Sequence, residues 1–567
     1  MRSSLLSITV GIAIACAPPA PRQITPADYP RTRPELTRYQ ESSRYADVRK
    51  FLDSLRTIGA PLTFGFIGKT TEGRDIPYVI ASRPQVQTPT QAKALGRPIV
   101  YVQGNIHAGE VEGKDALLAL LRDLTFSPKP DALDSVVLIA VPIYNADGNE
   151  RLASQSINRT EQNGPELVGV RANAQNLDLN RDYVKAEAPE TRASLAMFNT
   201  WDPDVFVDLH TTDGSFHGYA LTYSPSLNPA AVFGGIYARD SLLPVLRERM
   251  RTRDGFEVFD YGNFISDERG LIADSSVREG WATYDSRPRF GTNYYGVRGR
   301  IGILSEAYSH DSLARRIAST YAFVKEILSL AAEKGQAIRS LSARADSQPL
   351  AWGRAPDSVQ MVAVRSQLIA NPPSMDVIKE DLIKTGDSSR TQPGVPRGER
   401  RSGVFKTTRM PVYDRFTSTL DRLPPAAYVI APQDTAVVTL LRLHGVRVER
   451  SDSSWTARGE TFTIDSIITA PRPFQGHHEV RLKGTWQRGL QSLPPRSFIV
   501  STAQPRGALI VYLLEPESDD GFTTWNLFDA DLKKGGRFPV TRIFDLSRRG
   551  RGAARRSSAS ASPLPQD

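Results

Sequence analysis

The chain has 567 residues, enough for about two to four domains. Hydrophobic residues make up 40 % and charged residues 23 %, the balance of a folded soluble protein; this excludes a mostly disordered chain, a collagen-like chain and a polytopic membrane protein. The net charge is +9, partly carried by a basic C-terminal tail, so no nucleic-acid partner is expected, and a single cysteine excludes a disulfide framework or a cysteine-based zinc finger.

Residues 1–16 read as a signal peptide. A basic start, Met1-Arg2, precedes an apolar run from Leu5 to Ala15, too short to span a bilayer but suited to export. Cys16 follows Ala13-Ile14-Ala15, which resembles a bacterial lipoprotein signal, although Ala13 stands where that pattern prefers Leu. The expected location is therefore outside the bacterial cytoplasm: periplasmic, an outer-membrane lipoprotein held through lipidated Cys16, or secreted. Residues 17–41 are rich in Pro, Arg and Thr and read as a linker.

From 42 to 345 short apolar runs alternate with helical patterns. Ile99–Val102, Val136–Tyr144, Val205–Val207 and Ile301–Leu304 read as strands, the second as one buried on both faces. Ala116–Leu124, Ala193–Trp201 and a long stretch from Leu313 to Ser342 read as helices. This alternation predicts an α/β domain with a mixed, largely parallel sheet flanked by helices. Residues 346–408 are expected to be linker or irregular. Residues 409–546 read as a smaller, sandwich-like β-rich accessory domain, with strands at Ala427–Ile430, Thr461–Ile464, Ser497–Val500 and Leu509–Tyr512. Residues 547–567 read as a disordered basic tail.

Two of the seven histidines stand where a strand pattern ends, the place where open α/β sheets carry ligand groups. His107 lies three residues before Glu110, and His210 follows the run Val205–Val207. Two imidazoles and a carboxylate suit Zn²⁺, and three protein ligands leave an open coordination position, as a catalytic site requires. Asp208 or a nearby carbonyl could orient an imidazole. Arg171 and Arg181, ten residues apart, offer planar forks for a carboxylate or an oxyanion. Glu306, closing a strand, is placed for acid/base work. Taken singly each signal also fits a polar loop or a strand end. Gly68-Lys69-Thr70 lacks the upstream Gly of a phosphate-binding loop, and His478-Glu479 does not complete an HExxH pattern. His444, His477 and His478 read as surface or turn residues.

The order HxxE, Asn145–Gly148, the segment Arg171–Tyr183, Asp208-Leu209-His210 and a strand-borne Glu resembles the zinc carboxypeptidase family over roughly residues 45–335. That resemblance implies one zinc held by His107, Glu110 and His210. It implies Glu306 as general base, Arg171 at the oxyanion, and Asn180 and Arg181 at the terminal carboxylate of a peptide with a free C-terminus. A mobile tyrosine is expected among Tyr284, Tyr294 and Tyr295, with Tyr284 best spaced from Glu306. Gly109, where the pancreatic-type enzymes have Arg, and Thr211-Thr212, where they have Ser-Tyr, depart from the pattern and put the substrate subsites in question. Two other functions stand beside the carboxypeptidase: a zinc amidohydrolase on the same scaffold (a deacylase or a cell-wall peptide amidase) and an inactive binding protein.

Overall fold

Four runs, Ile99–Gly104 (β3), Val137–Val141 (β4), Val205–Thr211 (β5) and Ile301–Ala307 (β8), are buried along their whole length in the computed structural model. They form the centre of an eight-stranded sheet. Leu62–Lys69 (β1) and Asp75–Ala81 (β2) complete one edge, and Leu221–Pro225 (β6) and Val258–Asp260 (β7) the other, in the order β1-β2-β4-β3-β5-β8-β6-β7. The pairs β3/β4, β3/β5, β5/β8 and β6/β7 are parallel; β1/β2, β2/β4 and β6/β8 are antiparallel. The sheet is thus mixed and flanked by helices, as expected. The structure describes residues 25–127, 131–266, 277, 279–352, 360–386 and 395–546. The signal segment with Cys16 and the basic tail 547–567 lie outside them. No helix among the described residues is long and apolar enough to cross a membrane.

Helices cover both faces because each carries an apolar stripe to bury. Tyr45–Thr57 (α1), Glu112–Thr125 (α2), Leu243–Thr252 (α4) and Leu313–Glu333 (α6) enclose one core. Pro189–Trp201 (α3) and Gly291–Val297 (α5) cover the other face. The helix read from Leu313 to Ser342 is broken at Lys334, and Gly335–Trp352 (α7) follows.

The segment 346–408 is not irregular throughout. It contains Val362–Lys384 (β9) and the start of Glu399–Arg422 (β10), which pair as a long antiparallel hairpin. Beyond it, Ala427–Ile430 (β11), Trp455–Thr469 (β12), Val480–Leu493 (β13), Phe498–Ser501 (β14) and Val540–Ile543 (β15) join the short strand Glu449–Arg450 in one six-stranded antiparallel sheet, not a sandwich. Thr435–Leu443 (α8) and Gly507–Leu514 (α9) pack with it, so Leu509–Tyr512 is helix and not strand. The second core is continuous across the two lobes. It unites Phe198, Trp201 and Tyr294 with Tyr428, Val437, Leu441 and Leu509. His444, read as a surface residue, is fully buried at this junction.

Candidate metal centre

Parallel pairing sets His210 and Glu306 side by side, because residue 210 on β5 is in register with residue 306 on β8. His107 and Glu110 come from the turn after β3, closed by the Glu110 amide donating to the His107 carbonyl at 3.0 Å. Asn105 begins that turn with a left-handed φ of 66°, and its side-chain amide donates to the Ala108 carbonyl at 3.1 Å. One ligand atom from each of His107, Glu110 and His210 lies within 4.8 Å of the others, and all three side chains are buried.

The two rings face each other through Nδ1, 3.1 Å apart. His107 Nδ1 is 3.0 Å from Glu110 Oε1 and His210 Nδ1 is 2.9 Å from Glu110 Oε2. On their outer sides, His107 Nε2 lies 3.0 Å from Asp178 Oδ1 and His210 Nε2 lies 3.1 Å from Asp208 Oδ2. The Asp178 carboxylate accepts Nε2–H of His107, which assigns the lone pair of that ring to Nδ1. That lone pair faces a second imidazole nitrogen and a carboxylate, a crowding of acceptors that a proton or a cation between them relieves. A zinc ion therefore fits this donor set: two imidazole nitrogens, one carboxylate, and carboxylates behind the rings.

The charges around the cluster are unequal. Burial works against ionised Glu110, but His107 and Arg159 hold its carboxyl well below the usual carboxylate range. Burial alone would lower the His210 imidazole; the Asp208 and Glu110 carboxylates lift it well above its ordinary value instead. Glu306 is 8 % exposed, and burial, with Glu110 and Asp213 adding to it against the pull of His210, lifts its carboxyl well above the usual range.

The same cavity is lined by Arg171, Asn180, Arg181, Tyr284 and Glu306 besides the three donors. Arg171 Nε donates to Asp178 Oδ2 at 2.9 Å, with its Nη1 3.4 Å from Glu110 Oε1. The Asn180 carboxamide oxygen accepts from the Gly291 amide at 2.9 Å. The Arg181 guanidinium stacks on Phe290 at 3.9 Å and donates to the Asn180 carbonyl. The structure separates the three candidate tyrosines. Tyr284 reaches the cavity with a buried hydroxyl that meets no hydrogen-bond partner. Tyr294 and Tyr295 lie in the core, Tyr294 donating to His444 Nδ1 at 2.7 Å and Tyr295 3.3 Å from the Ser194 hydroxyl.

Sequence reasoning did not find Arg159, Asp178 or Asp213. Arg159 is buried and donates to Glu110 Oε1 at 2.9 Å. It also explains Gly109: a Cβ there would meet Arg159 Cγ at 2.7 Å and the Gly169 carbonyl at 2.9 Å. Asp178 opens the Asp-Leu-Asn-Arg run, so its neighbours pointed to it. Asp213 lines the cavity and accepts from the Tyr261 hydroxyl at 2.6 Å. Thr211 also lines the cavity, its amide donating to Glu110 Oε2 at 3.2 Å, while its hydroxyl donates to buried Glu112, which pairs with Arg316 at 3.2 Å.

Residues 48–232 match the family model described as zinc carboxypeptidase. Carboxypeptidase 2 of Trichophyton rubrum is 23 % identical over 506 residues, covering 84 % of this chain and 81 % of that protein. Carboxypeptidase Z of Mus musculus is 34 % identical over 124 residues, 21 % of this chain and 17 % of the mouse protein. A metallo-carboxypeptidase structure from Burkholderia cenocepacia superposes with a TM-score of 0.37 at 16 % identity, covering 52 % of this chain and 70 % of the other. Residues 48–232 thus carry the match to the zinc carboxypeptidase family, and together with these relatives they support a hydrolase of the peptidase class.

Proposed function

We propose that this chain is a zinc-dependent metallocarboxypeptidase that removes the C-terminal residue of peptides. In this reading His107, Glu110 and His210 hold one zinc ion. The observation that carries it is the pair of inward-facing Nδ1 atoms 3.1 Å apart beside a shared carboxylate. Bound zinc supplies Lewis acidity, lowering the pKa of a water and polarising the scissile carbonyl.

Glu306 takes a proton from the attacking water as the new C–O bond forms, then hands it to the amine nitrogen as the C–N bond breaks. Burial, with Glu110 and Asp213 adding to it, raises its carboxyl above the usual range, which favours its taking up that proton. Arg171 donates to the carbonyl oxygen as negative charge develops there. Arg181, held flat against Phe290, and the Asn180 amide bind the substrate's terminal carboxylate, with Tyr284 closing the pocket. A carboxylate held at a fixed place beside the cluster admits only the last peptide bond.

Paired peptides with free and amidated C-termini test the reading. Hydrolysis of the free acid with amino-acid release is expected, with most activity lost on the amide. Equal hydrolysis of both would overturn it in favour of a zinc amidohydrolase on this scaffold. The leader at residues 1–16 supports export, and its Cys16 supports a lipid anchor. Cell fractionation and mass spectrometry of the mature N-terminus test both; a cytoplasmic, unprocessed chain would overturn them.

A further inference from the structure

The second lobe reaches the candidate site through the turn that joins β12 to β13. Phe474 and His477 exchange backbone hydrogen bonds of 2.8 and 3.0 Å, leaving Gln475 and Gly476 as the central residues. Both have left-handed φ, 50° and 83°. Gly, Asn or Asp normally fills the first such position, because longer side chains carry a steric cost there. Gln475 nevertheless occupies it. Its side-chain oxygen accepts from the Asp178 amide at 2.8 Å, across 297 positions of sequence.

Asp178 is the hub of the substrate side. Its carboxylate meets His107 Nε2, accepts from Arg171 Nε and caps the Asn180 amide at 2.9 Å. A second set of contacts from the same lobe grips the loop that carries Tyr284 and Phe290. Arg289 pairs with Glu479 at 2.6 Å and with buried Asp520 through both its backbone amide, at 2.6 Å, and its side chain, at 2.8 Å. His477 meets Glu187 at 3.0 Å, beyond the Asn180-Arg181 turn.

We infer that Gln475 is a positioning residue. The second lobe places it to hold the Asp178 turn, and through it Arg171, Asn180 and Arg181, in the geometry that receives the substrate carboxylate. This rests on the carboxypeptidase reading for its kinetic consequence, but not for its structural one. The strained backbone and the reach of the side chain point the same way: a shorter residue would suit the turn and miss Asp178.

Gln475→Asn in the full chain separates the two roles. Asparagine favours the turn but lacks the methylene needed to reach the Asp178 amide, whereas Gln475→Glu keeps both the length and an acceptor oxygen. Hydrogen exchange at residues 176–182 is expected to speed up in Gln475→Asn, at an unchanged or raised melting temperature and unchanged zinc content. For a free-acid peptide KM should rise about tenfold, with a smaller loss in kcat. Gln475→Glu should restore the slow exchange, and Leu490→Ser, exposed on β13, should leave exchange and KM untouched. Unaltered exchange and KM in Gln475→Asn would overturn the inference. A wild-type chain that releases no C-terminal residue would overturn the carboxypeptidase reading alone, since the exchange measurement still decides the role of Gln475.

Discussion

Acid should loosen the junction between the lobes, and His444 shows by how much. Its ring is fully buried at the end of α8. The Tyr294 hydroxyl donates to Nδ1 at 2.7 Å and Nε2–H donates to the Val184 carbonyl at 2.9 Å. One nitrogen accepts and the other donates, so the neutral ring fits and the imidazolium does not. Burial pushes its pKa down to about 3, with Arg298 and Arg506 adding to it against the Val184 carbonyl. Unfolded, the same ring titrates near 6.5. Below that pH the unfolded chain binds the proton that the folded chain refuses. Stability is therefore complete above about pH 6.5 and falls as the pH drops toward the folded value. At about pH 5 the gap is roughly 1.5 units, or about 2 kcal/mol from this ring. Buried His217 and His310, lowered to about 3 and about 4, add losses of the same sign. Gln in place of His444 keeps one donor and one acceptor without titrating. Urea unfolding followed by tryptophan fluorescence, at about pH 7.5 and about pH 5, should show His444→Gln losing about 2 kcal/mol less than wild type on acidification. Identical pH dependence in the two proteins would refute the argument.

Glu306→Gln should keep its zinc and lose at least ~10²-fold in turnover; near-normal hydrolysis would remove Glu306 from its role. Arg159→Met leaves the Glu110 carboxylate without its nearest guanidinium, and breaking such a buried pair costs about 3–5 kcal/mol. The chelated variant should melt well below chelated wild type, and zinc should close much of that gap by replacing the lost positive charge; equal melting of the chelated proteins would count against it. Gly109→Ala forces a Cβ to 2.7 Å from Arg159 Cγ and should cost about 1–3 kcal/mol in thermal unfolding; an unchanged melting temperature would show that Arg159 moves aside freely.

The central strands were legible because parallel strands buried on both faces are nearly continuous apolar runs, as Ile99–Val102 and Val137–Val141 are. The same rule misread Leu509–Tyr512: a short apolar run buried on all sides looks alike as strand or helix, and here it is the middle of α9. The β9–β10 hairpin was hidden for the opposite reason. Its strands are polar, only partly buried and broken by register shifts, and each is ordered mainly by pairing with the other. The donors of the metal centre stood out because they close strands or follow them directly. Arg159, Asp213 and Gln475 carried no such mark, since each matters only through a partner distant in sequence. His444 was misjudged because nothing local told that two lobes share one core across it.

The most direct test of the account is the zinc content of the purified chain by elemental analysis, before and after chelation and readdition. One zinc per chain is expected in active wild type, with loss of metal and activity together on chelation, recovery of both on adding zinc, and little metal in His107→Ala or His210→Ala. Active protein free of zinc, or full occupancy without His210, would contradict it.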